Sequence, residues 1–108
     1  MNEPPPARRD VRRLKLYVAG QSAGGQRAFI GRKRLIEVMH GEVEIEVVDI
    51  LANPEEAERA GILATPTLAD ESCNPPRRLI GDISDPAQVL EYFAILTEAA
   101  REGNDDRK

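Results

Sequence analysis

Two short apolar runs stand on either side of a single helical stretch, and that spacing restricts the chain to a parallel βαβ unit at its start. The first run is Leu14-Lys15-Leu16-Tyr17-Val18-Ala19, with apolar side chains on alternate positions and Tyr and Val filling the other face. The second, Val43-Glu44-Ile45-Glu46-Val47-Val48-Asp49-Ile50, alternates apolar with acidic residues and then turns apolar, the pattern of a buried strand. Between them, Gln26 to about His40 places Ala28, Leu35 and Met39 on one helical stripe, with Phe29 and Ile36 beside it. Gly31 inside that stretch should weaken the helix by roughly 1 kcal/mol relative to Ala. Gly41 is a natural stop. Two strands joined through one helix pair in parallel with a right-handed crossover.

The rest of the chain continues the pattern. Gly20-Gln21-Ser22-Ala23-Gly24-Gly25 reads as a loop by its glycines. Asn53-Pro54-Glu55-Glu56 opens a short helix: Asn caps, Pro suits the first helical position, and the glutamates complement the helix dipole. Gly61 ends it. Thr67-Leu68-Ala69 and Arg78-Leu79-Ile80-Gly81 read as two strands joined by a turn at Cys73-Asn74-Pro75-Pro76. Asp85-Pro86-Ala87 starts a last helix that runs to about Arg101, with Val89, Leu90, Phe93 and Leu96 on its apolar face. The expected order is β-α-β-α-β-β-α. That makes an α/β, thioredoxin-like domain, with a mixed four-stranded sheet and helices on both faces. Such an order is shared by unrelated functions.

A chain of 108 residues has room for one core. Residues 1–12, with Pro4-Pro5-Pro6 and basic Arg8, Arg9 and Arg12, are expected to form a disordered or extended arm. The domain is expected over 13–100, with a flexible tail at 101–108. Only four residues are aromatic, so Leu, Ile, Val and Ala must build the core. Fifteen basic residues against 19 acidic ones, a net charge of −4, argue against a nucleic-acid surface, which needs clustered cations. No apolar stretch reaches ~18 residues, so no membrane span is expected. The arm has no apolar core of a signal peptide. The single cysteine, Cys73, forms no intrachain disulfide. The expected location is a reducing cytoplasm.

Catalytic chemistry finds little support. A thioredoxin-like redox enzyme needs a low-pKa cysteine in the turn after the first strand, where the helix N-terminus stabilises a thiolate. The Gly20–Gly25 turn contains none, and Cys73 reads as a bystander thiol in a later turn. Gly20 and Gly25 have the spacing of a phosphate-binding loop. Gln26-Arg27, however, occupy the positions that need Lys and Ser/Thr. His40 is the only histidine, which excludes a histidine-based metal cluster or triad, and it falls where a helix C-terminus should be. Asp49, Asp82 and Asp85 are scattered over strand ends and turns, where capping and solvation account for them. No cofactor is expected. The Thr65-Pro66-Thr67 step places a proline at a strand entry, as thioredoxin-like domains do, and the sequence leaves its isomer open. Arg32-Lys33-Arg34 reads as a solvated helix face, whereas Arg77-Arg78 borders a strand in a position to meet a partner.

Four segments together carry a family resemblance: Leu14-Lys15-Leu16-Tyr17-Val18-Ala19-Gly20; Val48-Asp49-Ile50-Leu51 with Asn53-Pro54; Ile62-Leu63-Ala64-Thr65-Pro66-Thr67-Leu68; and Pro75-Pro76-Arg77-Arg78-Leu79-Ile80-Gly81-Asp82. Over about residues 14 to 97 the chain resembles the KaiB circadian-clock family. It shares part of these motifs with the sensor domain of SasA histidine kinases. The resemblance implies a non-enzymatic regulator that binds KaiC, a RecA-like ATPase and autokinase, and modulates its phosphorylation cycle. It also implies fold switching between a thioredoxin-like form that binds KaiC and a resting tetramer whose second half folds differently. Family positions that favour the tetramer, a Gly and an Asp with a Tyr nearby, correspond to Tyr92, Ala94 and Thr97. Ala in place of Gly favours helix by about 1 kcal/mol or less. The thioredoxin-like form, as a monomer or dimer, is therefore the expected resting state. Thr65 and Pro66 belong to the same set of fold-determining positions. Arg27, Arg77 and Arg78 match family arginines and are the expected partner-binding residues. Family lysines directed at KaiC correspond to Glu46, Gly61 and Asp70, an exchange that should weaken attraction to an acidic partner and alter its salt dependence. The alternative is a thioredoxin-like sensor or adaptor module that binds a histidine kinase or another stress-signalling protein. A degenerate redox enzyme is disfavoured by the missing thiol.

Overall fold

In the computed structural model, which describes residues 11–93, a βαβ unit is extended by a second helix, a hairpin and a third helix. The elements are β1 (Arg12–Val18), α1 (Ala23–Val38), β2 (Val43–Asp49), α2 (Pro54–Ala60), β3 (Thr67–Asp70), β4 (Arg77–Ile80) and α3 (Pro86–Tyr92). The sheet order is β2-β1-β3-β4. β1 runs parallel to β2, with Leu14 level with Ile45 and Tyr17 level with Val48. β3 is antiparallel to both β1 and β4. The expected element order and the mixed sheet are therefore present.

Alternation along β1 divides the interior into two layers. Leu14, Leu16 and Val18 face α1 and α3 and pack with Ala28, Leu35, Met39, Ile83, Val89 and Phe93, so Val18 shares the leucines' face instead of lying opposite it with Tyr17 as expected. Tyr17 faces the opposite side and packs with Val48 and Ala69 beneath Ala60 and Ile62, on the α2 side. Helices thus lie on both faces.

Several boundaries differ from expectation, each for a local reason. β1 begins at Arg12, a residue expected in the arm, because its backbone N–H donates to Glu42 and its side chain is bound by Asp70. α1 begins at Ala23, so Gly24 and Gly25 are helical rather than loop. Ser22 caps the helix by accepting from the Gly25 N–H at 3.1 Å. α1 ends at Val38, and His40 and Gly41 leave it with φ of 52° and 80°. Asn53 stands at the N-cap of α2 but its side chain accepts nothing there. Its Nδ2 donates back to the Asp49 carbonyl at 3.2 Å instead. Gly61 closes α2 in the left-handed conformation. Asp85 caps α3 as expected, accepting from Ala87 at 3.1 Å. The Thr65–Pro66 and Asn74–Pro75 bonds are both cis. The expected arm and tail, and the continuation of α3 with Ala94, Leu96 and Thr97, lie outside the described residues. Among the described residues no helix is long and apolar enough to cross a membrane.

Candidate functional site

The end of the sheet where β1 finishes is the place at which this architecture would carry chemistry. The Gly20 turn leads into α1, and Gly24 packs so close to Pro66 that an added Cβ would lie 3.4 Å from the proline Cδ. A cleft of about 110 Å³ opens there, lined by Gly24, Arg27, Ala28, Pro66, Asp82 and Ile83 among others. Its ionisable members are Arg27, which is exposed, and Asp82. The Ser84 backbone and hydroxyl, with a smaller contribution from Arg27, hold Asp82 below the ordinary carboxylate value. That gives the cleft a charge pattern without a nucleophile, since neither a guanidinium nor an ionised, exposed carboxylate beside a proline attacks a disulfide. Cys73 sits half-buried in the β3–β4 turn, in a different part of the chain. Among the described residues no cluster of three or more His, Cys, Asp or Glu side chains could hold a metal ion.

The three candidate arginines do not form one patch. Arg77 and Arg78 are neighbours on a strand, so their side chains leave on opposite faces. Arg77 lies over the Tyr92 ring at 5.4 Å and donates to the Tyr92 carbonyl at 2.8 Å. Arg78 turns toward α2 and donates to the Ala60 carbonyl, capping that helix, while its buried Nε has no partner among the described residues. The Tyr92 hydroxyl donates to the Arg78 carbonyl, so one aromatic residue fastens α3 to β4. Arg27 stands apart, at the Pro66 cleft. Of the helical basic trio, Arg32 donates to the Ile45 carbonyl at 2.8 Å, while Lys33 and Arg34 are exposed, Arg34 reaching Ser84 at 3.5 Å.

Positions matched to family lysines also separate. Glu46 is exposed on β2, and Gly61 is the α2 cap. Asp70 is wholly buried and paired with Arg12, so it offers no charge to a partner. The expected exchange of surface charge is corrected there, because this carboxylate is turned inward against the Arg12 guanidinium and Ser72.

Two features escaped the reading from residues. A polar network joins three elements on the α2 side: the Tyr17 hydroxyl donates to Glu71 at 2.7 Å, and Lys15 donates to Glu56 at 3.1 Å. The connections flanking α2 also expose Leu51 at 70% and Leu63 at 96%. Both sit in short apolar runs, Ile50-Leu51-Ala52 and Ile62-Leu63-Ala64, so residue type alone gave no signal that they would be exposed.

Comparison with known proteins agrees with this frame. The model of the KaiB domain matches residues 15–95. The circadian clock oscillator protein KaiB of Microcystis aeruginosa is 44% identical over 94 residues, covering 86% of this chain and 90% of that protein. KaiB of Synechococcus elongatus is 43% identical over 93 residues, covering 85% and 91%. Among solved structures, the N-terminal domain of Synechococcus elongatus SasA matches with a TM-score of 0.63 at 18% identity, covering 89% of this chain and 95% of that one. Chloroplastic thioredoxin z matches at 0.66 and 21%, covering 80% and 78%. The last two establish the thioredoxin-like fold. The thioredoxin-like frame, the thiol-free turn and the sequence match over most of the domain lead to one assignment: the chain belongs to the KaiB family.

Proposed function

We propose that this protein is a non-enzymatic clock or timer regulator that binds a KaiC-type RecA-like ATPase and autokinase in the cytoplasm and modulates its phosphorylation cycle. The observation that carries the reading is the identity of more than two-fifths with clock oscillator proteins over about nine-tenths of their length. The thiol-free turn beside Pro66 supports it, because a thioredoxin-like frame without a nucleophile is suited to presenting a surface. The observed arrangement of β3, β4 and α3 is the one that the family resemblance associates with KaiC binding. We take it as the resting form too, as a monomer or dimer.

The test is co-elution of the purified chain with a KaiC homologue in ATP and in ADP, followed by a time course of KaiC phosphorylation. The expected result is a complex in at least one nucleotide state and an altered time course. Arg27→Glu is expected to weaken the complex about tenfold or more, the scale of a desolvated interface charge. No complex in either state, with an unchanged time course, overturns the reading in favour of a histidine-kinase or stress-signalling partner.

A further inference from the structure

The α2 side of the sheet is only partly covered. A seven-residue α2 is roughly 10 Å long, whereas the seven-residue strands β1 and β2 run about 23 Å. α2 lies over Tyr17, Val48 and Ala69, leaving the opposite half of that face without a layer. The residues presented there are charged: Arg13 and Lys15 on β1, Glu44 and Glu46 in register beside them on β2, and Glu71 past the end of β3. They line an open cleft of about 280 Å³. Arg13 is used by Glu44 at 3.2 Å, and Lys15 by Glu56 at 3.1 Å and Glu71 at 3.7 Å. Glu46 has no ion-pair partner among the described residues. The face is therefore acidic by one charge, two cations against three carboxylates, and its excess sits on the Glu44–Glu46 row.

We propose that this face is the docking site of the chain's own N-terminal segment, with Arg8 and Arg9 held against Glu44 and Glu46. β1 is an interior strand that begins at Arg12, at the same end of the sheet as the uncovered charged face. Arg8 and Arg9 precede Arg12 by four and three residues, and Lys15, level with Glu46, follows it by three. At a reach of ~3.3–3.6 Å per residue, that separation is long enough for the two arginines to meet the acidic row. The short tether holds the local arginine concentration in the millimolar range, enough to populate contacts that would be negligible between separate molecules. Contacts of this kind are exposed and dynamic, so the segment is readily displaced by a basic segment of another protein.

A spin label placed by Ala7→Cys in a Cys73→Ser background tests this in the full-length chain. Both faces are equally near Arg12, so the readout is asymmetry. Amide signals of Glu44, Glu46 and Glu71 should broaden more than those of Met39 and Phe93 on the other face. The asymmetry should vanish in Glu44→Lys with Glu46→Lys, in Arg8→Glu with Arg9→Glu, and at about 1 M salt, where the Debye length falls to roughly 3 Å. Equal broadening of the two faces overturns the proposal. So does asymmetry that survives both charge reversals, or broadening that persists between labelled and unlabelled molecules in a mixture. The two reversals act from opposite partners, so misfolding of one leaves the other decisive.

Discussion

Arg12 and Asp70, 58 positions apart in the chain, meet at 2.8 Å where β1 begins and β3 ends. Asp70 is fully buried, while the Arg12 side chain is 31% exposed and donates a further bond to the Phe93 carbonyl at 3.0 Å. One guanidinium thus joins the first strand, the hairpin and the end of the last described helix. Arg12→Ala would leave a buried carboxylate without its counter-ion. The expected loss is roughly 3 kcal/mol, the lower end for stranding a buried charge, because solvent reaches the arginine side. Urea unfolding measures it, and a loss below about 0.5 kcal/mol, the scale of ordinary surface changes, would show that the pair does not hold these elements together.

The same pair sets an acid dependence. Burial alone would raise Asp70, but the hydrogen bonds from Ser72 and Arg12 together outweigh it and hold the carboxyl below its ordinary 3.8. The Ser72 hydroxyl donates at 2.6 Å and its backbone N–H at 3.0 Å. With the folded value depressed, the folded state binds fewer protons than the unfolded chain in this range. The contribution is complete above pH ~4 and is lost as pH falls through the lower folded value. Urea midpoints followed from about pH 7 downward should fall below pH ~4 in the native protein and fall less steeply in Asp70→Asn. Equal slopes would remove Asp70 from the acid response.

At the other end of the pH scale the α2-side network acts. Burial, then the hydrogen bond to Glu71, pushes the Tyr17 phenol well above its ordinary 10.0. The hydrogen bond from Lys15 to Glu56 outweighs desolvation and, with Glu71, raises the amine above 10.5. Both groups hold their protons more tightly in the folded state. Their contributions are complete below pH ~10 and are lost as pH rises past the unfolded values. Tyr17→Phe should cost about 1 kcal/mol at neutral pH, the worth of one hydrogen bond, and should flatten the loss above pH ~10. The difference in phenolate absorbance between native protein and variant reports Tyr17. It should develop together with unfolding rather than before it.

Much of the fold was legible because strands and helices write different periods. Val43 and Ile45, alternating with Glu44 and Glu46, declare the buried face of β2 without any knowledge of contacts. Gly24 and Gly25 were misread as loop by residue type, although Ser22, an N-cap residue, stood three places before Gly25. Arg77 and Arg78 read as a pair bordering a strand, yet β4 begins at Arg77, and the period of two then sends adjacent residues to opposite faces. Asp70 resisted any reading from sequence. Its partner is Arg12, and nothing local distinguishes a paired buried carboxylate from a solvated one. The candidate site was legible as an absence of thiol, whereas its cleft required Arg27, Pro66 and Asp82 to be brought together across three elements.

Gly31 shows the same limit with a measurable consequence. Within α1 taken alone, Gly31→Ala should stabilise by about 1 kcal/mol through helix propensity. In the folded protein Gly31 is buried against the connection from β4 to α3. An added Cβ would lie 2.9 Å from the Ile83 carbonyl carbon, 3.0 Å from Ile83 Cγ1, and nearer still to the carbonyl oxygen. The carbonyl carbon and oxygen are backbone atoms of a residue only 1% exposed, so the neighbour has little room to move. α1 and the segment carrying Ile83 must separate, opening the layer shared by Leu35, Val89 and Phe93. Overpacking of this kind costs about 1–3 kcal/mol, enough to reverse the propensity gain. Gly31→Ala should therefore be net destabilising, while Lys33→Ala, at an exposed position of the same helix, should change stability by less than about 0.5 kcal/mol. Thermal and urea unfolding of the two variants decide between helix propensity and packing. A Gly31→Ala protein more stable than the native chain would mean that the Ile83 segment yields, and that α1 is not held at this closeness by its neighbours.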